Sequence, residues 1–110
     1  MSAKFILKKA ADGQYRFVLK ASNGETILTS ELYTSKASAE KGIASVRENA
    51  GDDARYVKKD AKNGSPMFNL RAGNNQVIGT SEMYSGAAAR DGGIAAVKGA
   101  AKNAVVEDQA

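Results

Sequence analysis

Ile27–Val46 reads ILTSELYTSKASAEKGIASV, and Ile78–Val97 reads IGTSEMYSGAAARDGGIAAV. Adding 51 to each residue number carries the first stretch onto the second without a gap. The register holds well outside the stretch: Phe5 falls on Tyr56, Gly13 on Gly64, Phe17 on Phe68, Leu19 on Leu70, Ala21 on Ala72 and Asn23 on Asn74. Agreement at about two positions in five marks an internal repeat, and two units are too few for a solenoid, so a pseudo-symmetric pair is expected.

With 110 residues the chain has room for one modest domain. The expectation is a single domain, 1–110, made of repeats 1–53 and 54–110. At 43% hydrophobic and 25% charged, with a single proline, the composition is that of a globular protein. There is no cysteine and no histidine, which removes disulfides, thiolate sites, the commonest general base and the commonest metal ligand. MSAKFILKKA has an apolar run of three residues before lysine returns, too short for a signal-peptide core or a membrane span. A cytoplasmic protein is therefore expected. Net charge is +4, mildly basic and far from a polycationic tail.

Lys4–Lys9 is short and rich in Phe, Ile and Leu, and reads as a strand. In Gln14–Ala21 the residues Tyr15, Phe17, Leu19 and Ala21 alternate with Gln14, Arg16, Val18 and Lys20, the period of a strand with one face on a core. Asn23-Gly24 is a hairpin signal, and Asn74-Asn75 a weaker one that still tolerates a left-handed backbone. Glu25–Ser30 returns as a third strand. After Tyr33 the period changes: Ala39, Ile43, Val46 and Ala50 form an apolar helical stripe. Thr34 and Ser85, or Ser35 as an alternative, are positioned to cap the two helices. Gly42 and Gly93 recur beside the stripe, and since glycine costs a helix about 1 kcal/mol relative to alanine, its recurrence implies a close approach to the sheet. Pro66 stands where unit one has Tyr15, which predicts an edge or a bulge there. The second helix is expected near Ala87–Ala101, and Ala104–Glu107 as a last strand.

These residues resemble the YegP-like family of small bacterial tandem-repeat proteins. The matching elements are Arg16-Phe17 with Leu19 and Ala21, Asn23-Gly24, Ser30-Glu31-x-Tyr33, and Gly42-Ile43 with Val46. They return as Phe68, Leu70, Ala72, Asn74, Ser81-Glu82-x-Tyr84, and Gly93-Ile94 with Val97. Met67 replaces Arg16 and Asn75 replaces Gly24 in the second unit. The resemblance implies an α+β fold in which the strand after each helix is exchanged between units, and it implies no activity. The expected architecture is two tandem β-β-β-α(-β) repeats forming a single antiparallel sheet, with two helices packed on one face.

Two constellations are candidates for function. Ser30, Glu31 and Tyr33, with Ser81, Glu82 and Tyr84, form a repeated motif; a twofold could bring Glu31 and Glu82 together for acid–base work. The structural reading is that Ser and Glu satisfy backbone amides where strand gives way to helix while Tyr packs beneath it, and on that reading loss of Glu31 or Glu82 lowers the melting temperature. The second is basic: Lys4 corresponds to Arg55, Lys8 to Lys59 and Lys20 to Arg71, and by alternation Lys20 and Arg16 point away from the face bearing Phe17 and Leu19, so that these seven form a candidate surface if the helices cover the other face. Such a surface can neutralise phosphates, although a solvated sheet face accounts for lysines as well. The expectation is a non-catalytic interaction or structural module of the bacterial cytosol, a monomer with an internal pseudo-twofold. Its partner would be a protein or nucleic acid, with no membrane, metal or cofactor; weak nucleic-acid binding and a Glu31/Glu82 enzyme are the alternatives. Each half alone is too small to support a core, so residues 1–53 in isolation are expected to pair with a second copy of themselves.

Overall fold

The alternation in the second strand decides how the sheet faces. Phe17 and Leu19 are fully buried while Arg16 is exposed, and their partners across the sheet carry the same division to both sides. A computed structural model describes residues 3–110. Its elements are β1 (Lys4–Lys9), β2 (Tyr15–Lys20), β3 (Thr26–Thr29), α1 (Lys36–Asn49), a 3-10 turn (Asp53–Arg55), β4 (Tyr56–Asp60), β5 (Pro66–Arg71), β6 (Val77–Thr80), α2 (Ala87–Ala101) and β7 (Val105–Asp108). All seven strands join one sheet in the order β4-β5-β6-β3-β2-β1-β7. The two repeats meet where β3 runs antiparallel to β6, with Thr29 opposite Thr80.

The exchange of strands is present: the chain leaves α1 for β4 beside β5, and leaves α2 for β7 beside β1. One feature of the expected sheet needs correction. It is mixed rather than wholly antiparallel, because β7 pairs with β1 in parallel. The repeat explains this. The strand that follows α1, β4, is the counterpart of β1, so the strand that follows α2 runs in β1's direction. Its symmetric place beside β2 is already filled by β1, and β7 is displaced one position outward.

Both helices cover one face. Ala39, Gly42, Ile43 and Val46 of α1 and Gly93, Ile94, Val97 and Ala101 of α2 are buried against Phe5, Leu7, Phe17, Leu19, Phe68 and Leu70. The aromatic packing repeats with the sequence. Phe5 meets Phe17 edge-on at 5.8 Å and Phe17 stacks on Tyr33 at 6.2 Å; Tyr56 meets Phe68 edge-on at 5.6 Å and Phe68 stacks on Tyr84 at 6.4 Å. Gly42 and Gly93 make room for these stacks: a Cβ on Gly42 would lie 2.4 Å from the Tyr33 hydroxyl, and one on Gly93 2.2 Å from that of Tyr84. The close approach is thus of tyrosine to helix, at both sites.

The helix caps and Pro66 depart from expectation, and Asn75 meets it. Ser35 is the α1 cap, accepting from the Ser38 N–H at 3.1 Å, whereas Ser85 is not a cap; Gly86 holds that place without a side-chain bond. Pro66 lies at the start of β5, between β4 and β6, not on an edge. A proline is tolerated there because only its missing N–H is lost. Tyr15 exchanges two backbone bonds with Tyr33, and Pro66 keeps one, accepting from the Tyr84 N–H at 2.8 Å. Asn75 takes the left-handed backbone of Gly24, with φ of 69° against 86°.

Candidate functional site

Among the described residues nothing covers the face opposite the helices. Register places Lys4 directly opposite Lys20, and Lys8 directly opposite Arg16, across β1 and β2. On the other flank Lys59 lies opposite Met67, Arg71 follows Leu70 onto the open side, and Arg55 stands just before β4. Six of the seven sequence-derived cations therefore belong to one face, and Arg55 lies in the 3-10 turn that leads into its outer strand. By the same alternation β1 to β6 place no acidic side chain on it: Asp60 shares the helix side with Lys58, which pairs with Asp91 of α2.

Glu107 of β7, beside Ile6, was not singled out from the sequence, because its neighbour across the sheet depends on where β7 docks. Its Oε1 accepts from Lys4 Nζ at 3.3 Å. The amide of Gln109 first, then Lys4, holds the Glu107 carboxyl below the ordinary glutamate value. Arg55 pairs with Asp52 at 3.4 Å. Among the described residues Lys8, Arg16, Lys20, Lys59 and Arg71 have no ion-pair partner. Lys4 and Lys20 also flank an open groove of about 460 Å³ floored by Ile6, Ala21 and Val105.

Between the flanks lies an uncharged strip. Val18, Thr29, Thr80 and Asn69 follow one another across β2, β3, β6 and β5, and Asn69 Nδ2 donates to Thr80 Oγ1 at 3.0 Å. Period-two alternation about Phe68 and Leu70 was sufficient to place Asn69 outward. No aromatic ring joins this face: Tyr15 alternates with Phe17 toward the helices, and Tyr33, Tyr56 and Tyr84 pack against Phe17 and Phe68.

The Ser-Glu-x-Tyr motif divides. Ser30 Oγ accepts from the Phe17 N–H at 2.9 Å and donates to the Glu31 carbonyl at 2.7 Å; Ser81 does the same for Phe68 and Glu82. The serines therefore do satisfy backbone amides, and those amides belong to the neighbouring strand. Tyr33 and Tyr84 lie beneath the helices as expected. The two carboxylates do neither job. Both glutamates are exposed and their side chains make no hydrogen bond among the described residues.

Nor are the carboxylates brought together. With Thr29 opposite Thr80 in an antiparallel pair, Glu31 and Glu82 leave the axis in opposite directions, some four residues or roughly 13 Å apart along the strands. The expected loss of stability on removing either glutamate is accordingly withdrawn. Glu31→Ala and Glu82→Ala should each change stability by less than about 0.5 kcal/mol in denaturant unfolding, and a loss above 1 kcal/mol, by the same measure, would restore the junction role.

The tyrosines give a pH dependence. Burial, then the charge of Glu31, raises the Tyr33 hydroxyl above its ordinary 10.0. Burial, then Glu82 and Glu25, does the same for Tyr84; burial, then Asp53, raises Tyr56, which donates to the Ala50 carbonyl at 2.6 Å. The unfolded chain therefore loses these protons first, and stability complete below pH 10.0 should fall as pH rises through the folded values. Urea unfolding at a series of alkaline pH values should show this slope, shallower in Tyr56→Phe. An unchanged slope in that variant would contradict it.

Among the described residues no helix is long and apolar enough to cross a membrane, and no group of three His, Cys, Asp or Glu side chains is arranged to hold a metal. Comparison with known proteins gives consistent matches. The family model described as "Domain of unknown function (DUF1508)" matches residues 10–56 and again 61–108. The UPF0339 protein YegP of Escherichia coli K12 is 59% identical over 108 residues, covering 98% of each chain. A UPF0339 protein of Acinetobacter baylyi is 59% identical over 98% of this chain and 97% of that one. The solution NMR structure of E. coli yegP superimposes with a TM-score of 0.93 at 59% identity, over 99% of this chain and 94% of the other. That of a Shewanella oneidensis UPF0339 protein gives 0.91 at 54% identity, over 98% and 92%.

Proposed function

The chain belongs to the UPF0339/YegP family of tandem DUF1508 proteins, and from that premise we propose that it is a non-catalytic interaction module of the bacterial cytosol that holds an anionic partner on its open sheet face. One observation carries this reading. Lys8 stands directly opposite Arg16, and Lys4 opposite Lys20, although like charges facing each other across a strand pair destabilise it. A face shaped for solubility alone is better served by both signs interspersed. Among the described residues Lys8, Arg16, Lys59 and Arg71 have no ion-pair partner; Glu107 is the acidic side chain that reaches this face, paired with Lys4 and near Lys20, while Asp52, Asp53, Asp91 and Asp108 form their ion pairs at the rim or on the helix side. An arriving anion relieves that repulsion, so part of the binding energy is already present in the free fold.

The test is co-purification from bacterial cells with three baits. The wild-type chain and Lys41→Glu, which alters charge on α1, should retain the same macromolecule. Lys8→Glu with Arg16→Glu should lose it. A partner held in full by the reversed face would contradict the proposal.

A further inference from the structure

The open face has two cationic flanks separated by a neutral strip. Lys4, Lys8, Arg16 and Lys20 belong to β1 and β2, Arg55, Lys59 and Arg71 to the β4–β5 side, and Thr29 and Thr80 lie between on β3 and β6. From β2 to β5 is three strand spacings, about 14 Å at the usual separation. We propose that this face binds double-helical B-form DNA across its major groove, with one flank on the phosphates of each lip and the threonine strip above the opening. This rests on the reading of the open face as the working surface.

Three observations select that occupant. The major groove is about 12 Å wide, close to the separation of the flanks, and Lys and Arg side chains are long enough to close the difference. All rings lie on the helix side, so nothing is available to stack on the unpaired bases of a single strand, where such stacking supplies much of the affinity. A protein partner is anchored by apolar and aromatic side chains at the centre of its interface. The large exposed apolar residues here are Leu32, Met83, Val105 and Val106. Leu32 and Met83 lie beyond the ends of β3 and β6, and Val106, beside the inward Phe5, faces the helices; Val105 stands at the rim of the open face, and the apolar side chains elsewhere on it, Val18, Val57 and Met67, are half-buried and include no aromatic anchor. Contacts made to phosphates alone carry no sequence information, so binding should be indifferent to base sequence.

Fluorescence anisotropy with labelled duplex DNA, its single strand and an RNA duplex of the same sequence, each over a range of salt, tests this. Duplex DNA should bind tightest, and affinity should fall steeply with salt. Arg16→Glu with Lys20→Glu should weaken duplex binding about tenfold or more and reduce the log–log salt slope by about two. Lys59→Glu with Arg71→Glu should do the same from the other flank, while Lys41→Glu should change little; circular dichroism verifies that each variant is folded. Tighter binding to the single strand or the RNA duplex, salt-independent binding, indifference to either flank, or no duplex binding at low salt would each overturn the inference. If an acidic protein is held by these same cations while DNA is not, the inference fails and the reading of the face stands. If reversing the face releases nothing, both fail.

Discussion

Exchanging Leu28 and Gly79 is expected to restore most of the stability that either substitution alone removes. The two positions are equivalents in the repeat, and each lies one residue before the Thr29–Thr80 pair at which the units meet. Leu28 is 1% exposed, and its isobutyl group fills the space over Gly79: a Cβ there would lie 2.6 Å from Leu28 Cγ and Cδ2. There is room at the axis for one leucine. Leu28→Gly empties it, at a cost of about 3–5 kcal/mol, and Gly79→Leu overfills it, at about 1–3 kcal/mol or more. Against a typical total of about 5–15 kcal/mol these losses are large. The double variant places the leucine on β6, beside Leu70, as Leu28 now stands beside Leu19. Denaturant unfolding should find it more stable than Leu28→Gly alone. Losses that simply add would show that the two side chains do not share this space.

The same contact changes what is expected of the half chains. Residues 1–53 paired with a second copy through the pseudo-twofold would bring two Leu28 side chains into the volume of one, so the homodimer expected from the repeat alone is obstructed. Residues 54–110 paired likewise would leave that volume empty. A mixture has neither fault. It also recovers Arg47 donating to the Ala104 carbonyl at 2.6 Å and Lys4 to Glu107, together with α1 and α2 packed over strands of both units. Each half alone should therefore lack cooperative unfolding, and an equimolar mixture should regain it with a concentration-dependent midpoint. Analytical ultracentrifugation with circular dichroism decides: a folded monomer or stable homodimer of 1–53 would contradict the shared core.

The limits of sequence reading follow from the same residues. The repeat, the strand faces, the helix stripes and the outward placement of Arg16 and Lys20 were legible because periodicity reports which side a residue faces. It does not report which strand lies alongside. The mismatch of Leu28 with Gly79 was written in the register, yet its meaning depends on β3 and β6 being neighbours. The parallel docking of β7, and with it Glu107 beside Lys4, depends on β1 already filling the place next to β2. The Ser-Glu-x-Tyr motif was read as serving backbone amides where strand gives way to helix. Its hydroxyl instead serves the amide of Phe17 or Phe68, thirteen residues back in the chain. Pro66 was placed on an edge or at a bulge because proline lacks a donor, and the structure accommodates that lack at the first residue of an inner strand.

The claim that the open sheet face is the working surface is tested most directly by following backbone amide shifts during titration with duplex DNA. Shifts are expected at Lys8, Arg16, Lys20 and Arg71, with Thr29 and Thr80 between them, while α1 and α2 stay still. Shifts confined to the helices, or to the segments around Leu32 and Met83, would contradict it.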